Sequence, residues 1–525
     1  MAQQEYHVFP KDDVNTPGTP LGDGSLTNPW DLQTALSQTT QVVNGNDTIW
    51  LHEGIYKGRF VSTVESRIPD VYVTVSAYDN DKVILDGNIE SDTVPVLEVN
   101  GKQVIFQNFD ITWLGEFSRD EKDDHFRIGI GVRHLKGANC KFYNLKIHDI
   151  PGLGFGFWKH GEASVIQNCM IYNNGYISKI GKGTGEGIYV QNLSDKTRLI
   201  KDNIIFNNYY KGIEVWSAGK RASYEYVKHI TLDGNILFNN GSPSGNYLDN
   251  VIVASDDKNG INVAKHITLE NNILYHNTRF SKGEFQGDAP SLTLGFNKLA
   301  PIEDVIVRNN VIIGRANGLR ILEVKTLSFT NNIVHTGFVQ LGASASKNAT
   351  NWNFVNNAYY ANTKASPFRL SRGKDYTFEN WKTAFTIDER SSMISKTDFE
   401  LPSVLAFNKN KVNSNRFYVA LFDKEGMNVS VDVRDYNMFK GDRFTIYDAE
   451  NPDVVLKIGQ VSENGTVTFP MNNTGFQSPL HNSIAVKTPS NFGAFIIEFK
   501  PQNSEVPEQQ DSEGFFERFF KWLGF

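Results

Sequence analysis

Cysteine is nearly absent from this sequence, and an excess of basic charge is absent as well. The 525 residues include only Cys140 and Cys169, too few for a disulfide-stabilised scaffold, so two buried free thiols are expected. No CxxC or histidine-rich spacing predicts a zinc site. Lysine and arginine total 52 against 59 aspartate and glutamate, a formal charge of -7, which disfavours nucleic acid as a partner.

Long apolar runs are also missing. No segment reaches 18 consecutive apolar residues, so no transmembrane segment is predicted. The chain opens with MAQQEYHVFP, which lacks the apolar region of a signal peptide. Two explanations stay open. The sequence is the mature form of a secreted protein, extracellular or at the cell surface, or it is a virion component released by lysis.

A short phrase repeats along the first two thirds of the chain. It consists of β-forming residues, a polar residue, an asparagine and three apolar residues, as in ITLENNILY. Nine copies centre on Asn108, Asn144, Asn168, Asn203, Asn235, Asn272, Asn310, Asn332 and Asn357. The 249 residues from the first to the last give eight intervals of about 31, within the range typical of solenoids and propellers.

A second family of strand-like segments lies between the copies, among them GLGFGFWKH, EGIYVQN and KGIEVWS. Two or three strands per repeat, at intervals of 22 to 38, favour a parallel β-helix over a propeller, whose blades need near-constant length. The asparagines then have a structural role at one corner. Asparagine tolerates the left-handed conformation, and stacked amides form hydrogen-bonded ladders.

An entry cap is predicted over residues 1–60, with a short helix at about 29–38 begun by Asn28-Pro29, and then a strand, TIWLHEG. This start, followed by VILDGN (83–88) and the asparagine repeats, resembles pectate-lyase-like right-handed parallel β-helix proteins over residues 5–365. The resemblance implies a β-helix at 61–365. It implies a carbohydrate-active protein or a phage tailspike, since the family includes polysaccharide lyases, glycoside hydrolases and epimerases.

The repeat stops near residue 365, and a different pattern follows. Residues 366–403 are expected to be a linker with a short helix at 375–385. At 404–500 we expect a β-sandwich of seven short strands from RFYVALFD (416–423) to AFIIEFK (494–500), NSIAVKT (482–488) among them. The predicted fold class is therefore all-β: a parallel β-helix, a C-terminal β-sandwich and a short terminal helix.

The last residues, 501–525, combine a polar linker with the segment FFERFFKWLGF. Its apolar side chains recur with helical spacing, which predicts an amphipathic helix with an aromatic face. Three placements are open: packing on its own domain, docking to a partner protein or another copy, and insertion into a membrane surface.

Matching GFGFW, GIYVQ and GIEVW predicts which side chains of the second strand family point outward. Gly156, Tyr189 and Glu214 form one outward row, and Trp158, Gln191 and Trp216 form a second. The residues between them are apolar, as a core requires. One coil earlier, the same pattern places Gly131 in the first row and Arg133 in the second.

Outward aromatic rings beside carboxylates suit a sugar polymer, because rings stack on pyranoses and polar groups bind hydroxyls. The predicted catalytic residues are Glu186, Glu214, His160 and Lys159, with the two glutamates on adjacent coils. The predicted substrate-binding residues are Arg133, Trp158, Tyr189, Gln191, Trp216 and Arg221. No metal ligand is assigned and no cofactor is predicted, although the acidic run Asp120, Glu121, Asp123 and Asp124 keeps Ca²⁺ open.

Two functions follow from these observations. The first is an enzyme that binds and cleaves an extracellular polysaccharide as a hydrolase or lyase. In a lyase, Lys159, His160, Tyr189 or Arg221 would act as base or charge neutraliser. The GHG signature of polygalacturonases and the DPHD motif of alginate epimerases are absent, which disfavours both activities. The alternative is a non-catalytic structural or receptor-binding β-helix such as a tailspike or appendage component.

Overall fold

Three long parallel sheets wind around one axis in the computed structural model, which describes residues 3–279 and 287–501. Each coil contributes one strand to sheet 1, then one to sheet 2, then one to sheet 3, and each strand pairs in parallel with its equivalent in the next coil. The architecture is the predicted all-β, right-handed parallel β-helix. Within the described ranges, no helix has the length and apolar character needed to cross a membrane.

The strands of the β-helix are short, mostly three to six residues. Sheet 1 contains Glu5–Val8, Thr48–Leu51, Val73–Ala77, Val104–Gln107, Lys141–Tyr143, Val165–Gln167, Arg198–Lys201, Lys228–Asp233, Lys265–Glu270, Glu303–Arg308, Leu327–Thr330 and Trp352–Val355. Sheet 2 contains Gly54–Lys57, Val83–Asp86, Asp110–Thr112, Lys146–His148, Met170–Tyr172, Ile204–Phe206, Ile236–Phe238, Ile273–Tyr275, Val311–Ile313, Ile333–His335, Ala358–Ala361 and Ser392–Ser395. Sheet 3 contains Phe60–Ser62, Pro95–Val99, Gly129–Lys136, Gly152–His160, Ile188–Val190, Ile213–Val215, Val251–Val253, Leu292–Leu294, Leu319–Ile321, Val339–Leu341 and Phe368–Leu370.

The stacking begins earlier and ends later than residues 61–365. Strands within the expected N-terminal cap already belong to sheets 1 and 2, and Ser392–Ser395 still pairs with Ala358–Ala361. The first helix is Leu32–Leu36, shorter than expected, and it begins after Asp31, whose side chain accepts from the Thr34 amide. The remaining helices are Ala345–Asn348, Phe378–Phe385 and the 3₁₀ turns Ser242–Ser244, Ala349–Asn351, Lys396–Asp398 and Arg434–Tyr436.

All nine repeat asparagines lie at the corner between sheets 1 and 2, but they occupy two adjacent positions. Asn108, Asn144 and Asn168 adopt the left-handed conformation, with φ between 51° and 68°. The other six follow the left-handed residue, which in their coils is Asp202, Gly234, Asn271, Asn309, Asn331 or Asn356. The single structural role predicted for the asparagines is thus divided between two positions, one turning the chain and one facing the core.

The six inward asparagines form a continuous amide ladder inside the helix. From Asn203 through Asn235, Asn272, Asn310 and Asn332 to Asn357, each Nδ2 donates to the Oδ1 of the next at 2.8 to 3.2 Å. Each Nδ2 also reaches a backbone carbonyl, so the polar atoms of these buried amides are satisfied. A second ladder at the next corner joins Asn174, Asn208, Asn240 and Asn250.

Replacing Asn272 with leucine is expected to lower the free energy of unfolding by about 3–5 kcal/mol. The change removes the acceptor of the Asn235 amide and side chain and the donor to Leu232 and Asn310, leaving buried groups unpaired. Thermal and urea unfolding followed by circular dichroism measure the effect. Asn353→Ala is the matched control, because Asn353 is exposed, and a similar loss there would contradict the assignment.

From Met170–Tyr172 to Ala358–Ala361 the strands of sheet 2 are buried on both faces, which explains the three apolar residues after the asparagine in most of those coils. In Ile204–Phe206, for instance, Ile205 points into the helix core, while Ile204 and Phe206 pack against the C-terminal domain. The outward aromatic rings stack from coil to coil, with centroids 4.9 Å apart for Tyr172 and Phe206 and 4.8 Å for Phe206 and Phe238.

The C-terminal domain is the predicted antiparallel β-sandwich. One sheet contains Val404–Lys409, Arg416–Phe422, Phe492–Lys500, Arg443–Asp448 and Asn451–Gln460, and the other contains Val429–Asp432 and Thr466–Phe469. The strand expected at 482–488 is instead part of a loop, and Val404–Lys409 is the seventh strand. The predicted tail helix, 515–525, lies outside the described residues.

Polar contacts bind this domain to several coils. Lys146 Nζ lies 2.8 Å from Asp453, the Tyr418 hydroxyl donates to the Asn168 carbonyl at 2.8 Å, and the Tyr275 hydroxyl bonds Asn491 at 3.1 Å. Both cysteines are buried free thiols, and burial raises the pKa of each to about 12.

Candidate functional site

The outer face of sheet 3 carries the first predicted row. Gly156 pairs in register with Tyr189, and Tyr189 with Glu214, as the sequence motifs indicate. The six residues expected to point inward, Phe155, Phe157, Ile188, Val190, Ile213 and Val215, are fully buried. The register of these three coils is therefore confirmed.

The second predicted row lies two residues further along each strand. It consists of Trp158, Gln191 and Trp216. The Trp158 ring lies 5.2 Å from the Tyr189 ring, and a Cβ at Gly156 would come within 2.9 Å of its indole nitrogen. Glycine at 156 thus leaves space for the indole to lie over the sheet. Gln191 Nε2 donates to the Tyr189 hydroxyl at 3.1 Å and to the Trp216 carbonyl at 3.2 Å.

Arg133 lies in the first row and not in the second, because it pairs with Gly156. Glycines recur every two residues in these strands. A shift of the pairing register by two residues leaves every side chain on the same face, so the sequence pattern could not exclude such a shift. Arg133 donates from Nε and Nη2 to the same oxygen, Oε2, of Glu98 one coil earlier. Its charge is therefore already paired within the sheet.

Glu186 and Glu214 face each other on adjacent coils. Glu214 is only 5 % exposed, and Glu186 is partly buried just before the strand that carries Tyr189. Burial, followed by repulsion from Glu214, raises the pKa of Glu186 to about 8, and its protonated carboxyl hydrogen-bonds Glu214. One glutamate of the pair thus retains a proton at neutral pH.

Lys211 supplies the positive charge at this pair. Its Nζ lies 2.5 Å from Glu214 Oε1, 4.4 Å from the Tyr210 ring centroid and 5.4 Å from that of Trp216. Burial acts to lower the pKa of Lys211, but Glu214 and Asp249 outweigh it, so the pKa is raised above its ordinary value. Lys211 therefore stays charged, and its ammonium group donates a charge-assisted hydrogen bond to Glu214.

Asp249 extends the polar row by one coil beyond Lys211. It is 7 % exposed, and the Thr293 hydroxyl donates to its Oδ1. Further along sheet 3, Arg320 Nη2 lies 3.1 Å from Asp288. Neighbouring coils of this face thus carry several paired charges, with the glutamate pair in their middle.

A cleft of about 550 Å³ opens where the strands of sheet 3 end, and we call it the aromatic cleft. It is lined by Leu135, Trp158, Lys159, His160, Tyr189, Gln191, Ala218, Lys220, Arg221, Ala222, Ser223, Tyr224 and Tyr226. Six of the ten predicted site residues are in this lining. Tyr189 connects the cleft to the glutamate pair, because burial and the Glu214 charge raise its pKa above its ordinary value.

Three of the predicted bases or charge neutralisers, Lys159, His160 and Arg221, lie in the lining of the aromatic cleft. Lys159 Nζ is 2.5 Å from the Tyr224 hydroxyl and 4.9 Å from the centroids of the Tyr224 and Tyr226 rings. His160 is exposed, and burial together with the Lys159 charge lowers its pKa. Arg221 is exposed at the opposite wall.

The acidic run at 120–124 turns toward its own loop. Asp120 accepts from the Lys122 amide at 2.9 Å, and Asp123 from the His125 amide at 2.8 Å. Among the described residues, no group of three or more His, Cys, Asp or Glu side chains is arranged to hold a metal ion. Calcium at this loop stays a prediction.

Three members of the site were missed from the sequence: Lys211, Asp249 and Tyr224. Lys211 and Asp249 precede their strands at the same coil position as Glu186, as their backbone hydrogen bonds show. Both lie two residues before the first inward residue of their strands, so an alignment of the coils at that position could have found them. Tyr224 lies in a loop with no counterpart in other coils, and no pattern marks it.

The family model described as "Right handed beta helix region" matches residues 55–237. No curated protein matches the sequence. Among solved structures, pectate lyase Pel9A is 14 % identical, with a TM-score of 0.41, over 77 % of this chain and 83 % of that chain. The GH136 lacto-N-biosidase from Eubacterium ramulus is 14 % identical, with a TM-score of 0.48, over 75 % of this chain and 68 % of that chain.

A third solved structure, the Dettilon tailspike protein, is 12 % identical, with a TM-score of 0.38, over 94 % of each chain. At such identities, what is similar is the architecture of stacked coils and not the chemistry of a site. Three long parallel sheets and the matching family model together identify this chain as a right-handed parallel β-helix, the fold shared by polysaccharide lyases, glycoside hydrolases and tailspikes.

Proposed function

We propose that this protein is a glycoside hydrolase that cleaves an extracellular polysaccharide at the Glu186–Glu214 pair. The observation that carries the proposal is the asymmetry of this pair. Glu186 holds a proton to about pH 8, while Lys211 stabilises the charge of Glu214. Glycoside hydrolysis needs a carboxylic acid and a carboxylate on either side of the bond.

The roles follow from the charges. Glu186 is the general acid that protonates the leaving oxygen, and Glu214 is the carboxylate that attacks or stabilises the sugar cation. The two carboxyl groups are in hydrogen-bonding contact, which is nearer to the roughly 5–5.5 Å of retaining enzymes than to the roughly 6.5–9.5 Å of inverting ones, and they must separate slightly to admit the sugar. Cleavage with retention of the anomeric configuration is therefore proposed.

The aromatic cleft is the adjoining sugar-binding site. Trp158 and Tyr224 offer ring faces for stacking on pyranose rings. Its lining includes Lys159, Lys220 and Arg221 but no carboxylate, although the whole chain has a net charge of -7. Acidic sugars are therefore favoured as its occupants, by charge complementarity.

Product formation on a panel of polysaccharides tests the proposal. The panel contains polygalacturonate, alginate, xylan and a neutral glucan. A hydrolase yields new reducing ends without an ultraviolet-absorbing unsaturated sugar, and NMR of the first product shows the retained anomer. Unsaturated ends would support a lyase instead. Binding without any new ends would support the alternative, a non-catalytic tailspike-like or appendage protein.

A further inference from the structure

A second and larger concavity, of about 1300 Å³, lies at the other end of the sheet 3 strands. We call it the corner groove. Its walls are loops at the corner between sheets 2 and 3, namely residues 88–94 and 116–128, together with Ile177 and the segment 481–484 of the C-terminal domain. Ile89, Ile128 and Ile484 are exposed in it, between the polar side chains of Asp92, His125 and Arg127.

The C-terminal wall of the corner groove is firmly attached. The Leu480 amide donates to Asp149 at 2.8 Å, and Asn482 Nδ2 donates to the Tyr209 hydroxyl at 2.8 Å. Arg119, 6 % exposed, forms an ion pair with Asp149 at 3.1 Å and donates to the Leu480 carbonyl. The sandwich domain thus contributes a fixed surface to the β-helix.

The corner groove approaches the glutamate pair from the side opposite the aromatic cleft. The hairpin of Tyr176–Ile177 and Gly183–Thr184 connects them, because Ile177 lines the groove and Thr184 lies two residues before Glu186. Tyr176 pairs with Thr184 in this hairpin, and burial, followed by the charges of Glu121 and Glu186, raises its pKa. The nine-residue strand Gly152–His160 spans roughly 30 Å. It begins beside Gly129, the neighbour of Ile128 in the groove wall, and it ends in the lining of the aromatic cleft.

We propose that the corner groove binds a second stretch of the same polysaccharide, so that the polymer crosses sheet 3 along the strand direction and is cleaved at an internal bond. The proposal rests on the proposed function. Two concavities that are open on either side of the acid pair leave both polymer ends free. A span of this length accommodates several sugar rings, so affinity rises with chain length.

The first experiment measures binding without turnover. Glu186→Gln protein, with and without Arg127→Ala/Ile128→Ala, is titrated calorimetrically with trisaccharide and octasaccharide fractions of the four panel polymers. For the polymer that binds, we expect the octasaccharide to bind at least about tenfold more tightly. The groove substitutions should remove that gain and leave trisaccharide affinity unchanged. Equal affinity for both lengths, or an equal loss for both, would overturn the proposal.

The second experiment measures the mode of cleavage in the wild-type protein. Internal cleavage lowers the viscosity of the polymer before many reducing ends appear, whereas release of terminal sugars does the reverse. Arg434→Ala is the matched control for the groove variant, since Arg434 is exposed in the C-terminal domain and forms its ion pair with Asp432. A length-dependent affinity without turnover would support polymer binding in the corner groove and reject the hydrolase activity. Release of terminal sugars would reject the proposed role of the corner groove and leave the hydrolase activity standing.

Discussion

Replacing Glu214 with glutamine is expected to reduce kcat at least about 1,000-fold on the polymer that the protein cleaves, and Glu186→Gln should do the same. Glutamine at 214 cannot carry the negative charge that stabilises the sugar cation. Glutamine at 186 has no acidic proton for the leaving oxygen. Reducing-end assays measure the loss, and circular dichroism verifies that the β-helix persists.

Glu270→Gln is the matched control for both variants. Glu270 also lies on a strand of the β-helix and pairs with a cation, Arg308 at 2.5 Å, but on the outer face of sheet 1. Its activity should equal that of the wild type. Full activity in either Glu186→Gln or Glu214→Gln would reject the assignment of the pair.

The stability of Glu186→Gln gives an independent measure of the same site. Folding raises the Glu186 pKa from 4.5 to about 8, so the folded state retains a proton that the unfolded state loses between these values. The contribution of Glu186 to the free energy of unfolding of the wild type is therefore fully present below about pH 4.5, and it is lost as the pH rises to about 8. The variant should melt at a higher temperature than the wild type at pH 8, by a margin that disappears near pH 4.

Lys211→Met is expected to lower kcat at pH 7 by about 100-fold and to move the alkaline limb of the pH–rate profile to higher pH. Without the ammonium group, the buried carboxylate of Glu214 loses the cation that contacts it, so the rate falls. Lys211 also acts to lower the Glu186 pKa, so its loss moves the alkaline limb upward. Profiles of kcat and kcat/KM against pH measure this limb.

Lys211→Arg and Lys265→Met are the controls for this prediction. Arginine keeps the positive charge, so the limbs should stay near their wild-type positions even if the rate falls. Lys265 is part of a comparable ion pair, 2.6 Å from Glu225, and its replacement should leave the profile unchanged. If Lys211→Met loses activity while the alkaline limb of its pH–rate profile stays in place, the role of Lys211 is only structural.

The interior of the helix was predictable because its positions tolerate only apolar side chains. Phe155, Ile188 and Ile213 had to share one face, which fixed the register and brought Tyr189 and Glu214 into one row. The register slip at Arg133 and the division of the asparagines between two corner positions were not predictable. In both cases the two possible placements, of register or of corner position, put the same residue types in the same environment.

The site was only partly predictable because its chemistry depends on neighbours from other coils. Glu214 was expected to be exposed, yet it is buried and in contact with Lys211, which precedes its strand at the coil position of Glu186. The corner groove could not be foreseen, since its walls come from segments as distant as 88–94 and 481–484. Sequence spacing carries no record of such long-range contacts.

The aromatic stack on sheet 2 has a consequence for biosynthesis. Tyr172, Phe206 and Phe238 are covered by residues that follow position 398, such as Tyr418 and Phe492. A ribosome adding 5–20 residues per second needs on the order of ten seconds or more to reach that covering segment. Throughout this interval the nascent chain presents a flat apolar sheet face. Holding chaperones at the exit tunnel, or slow pairing with a neighbouring nascent chain, will therefore decide the yield of soluble protein.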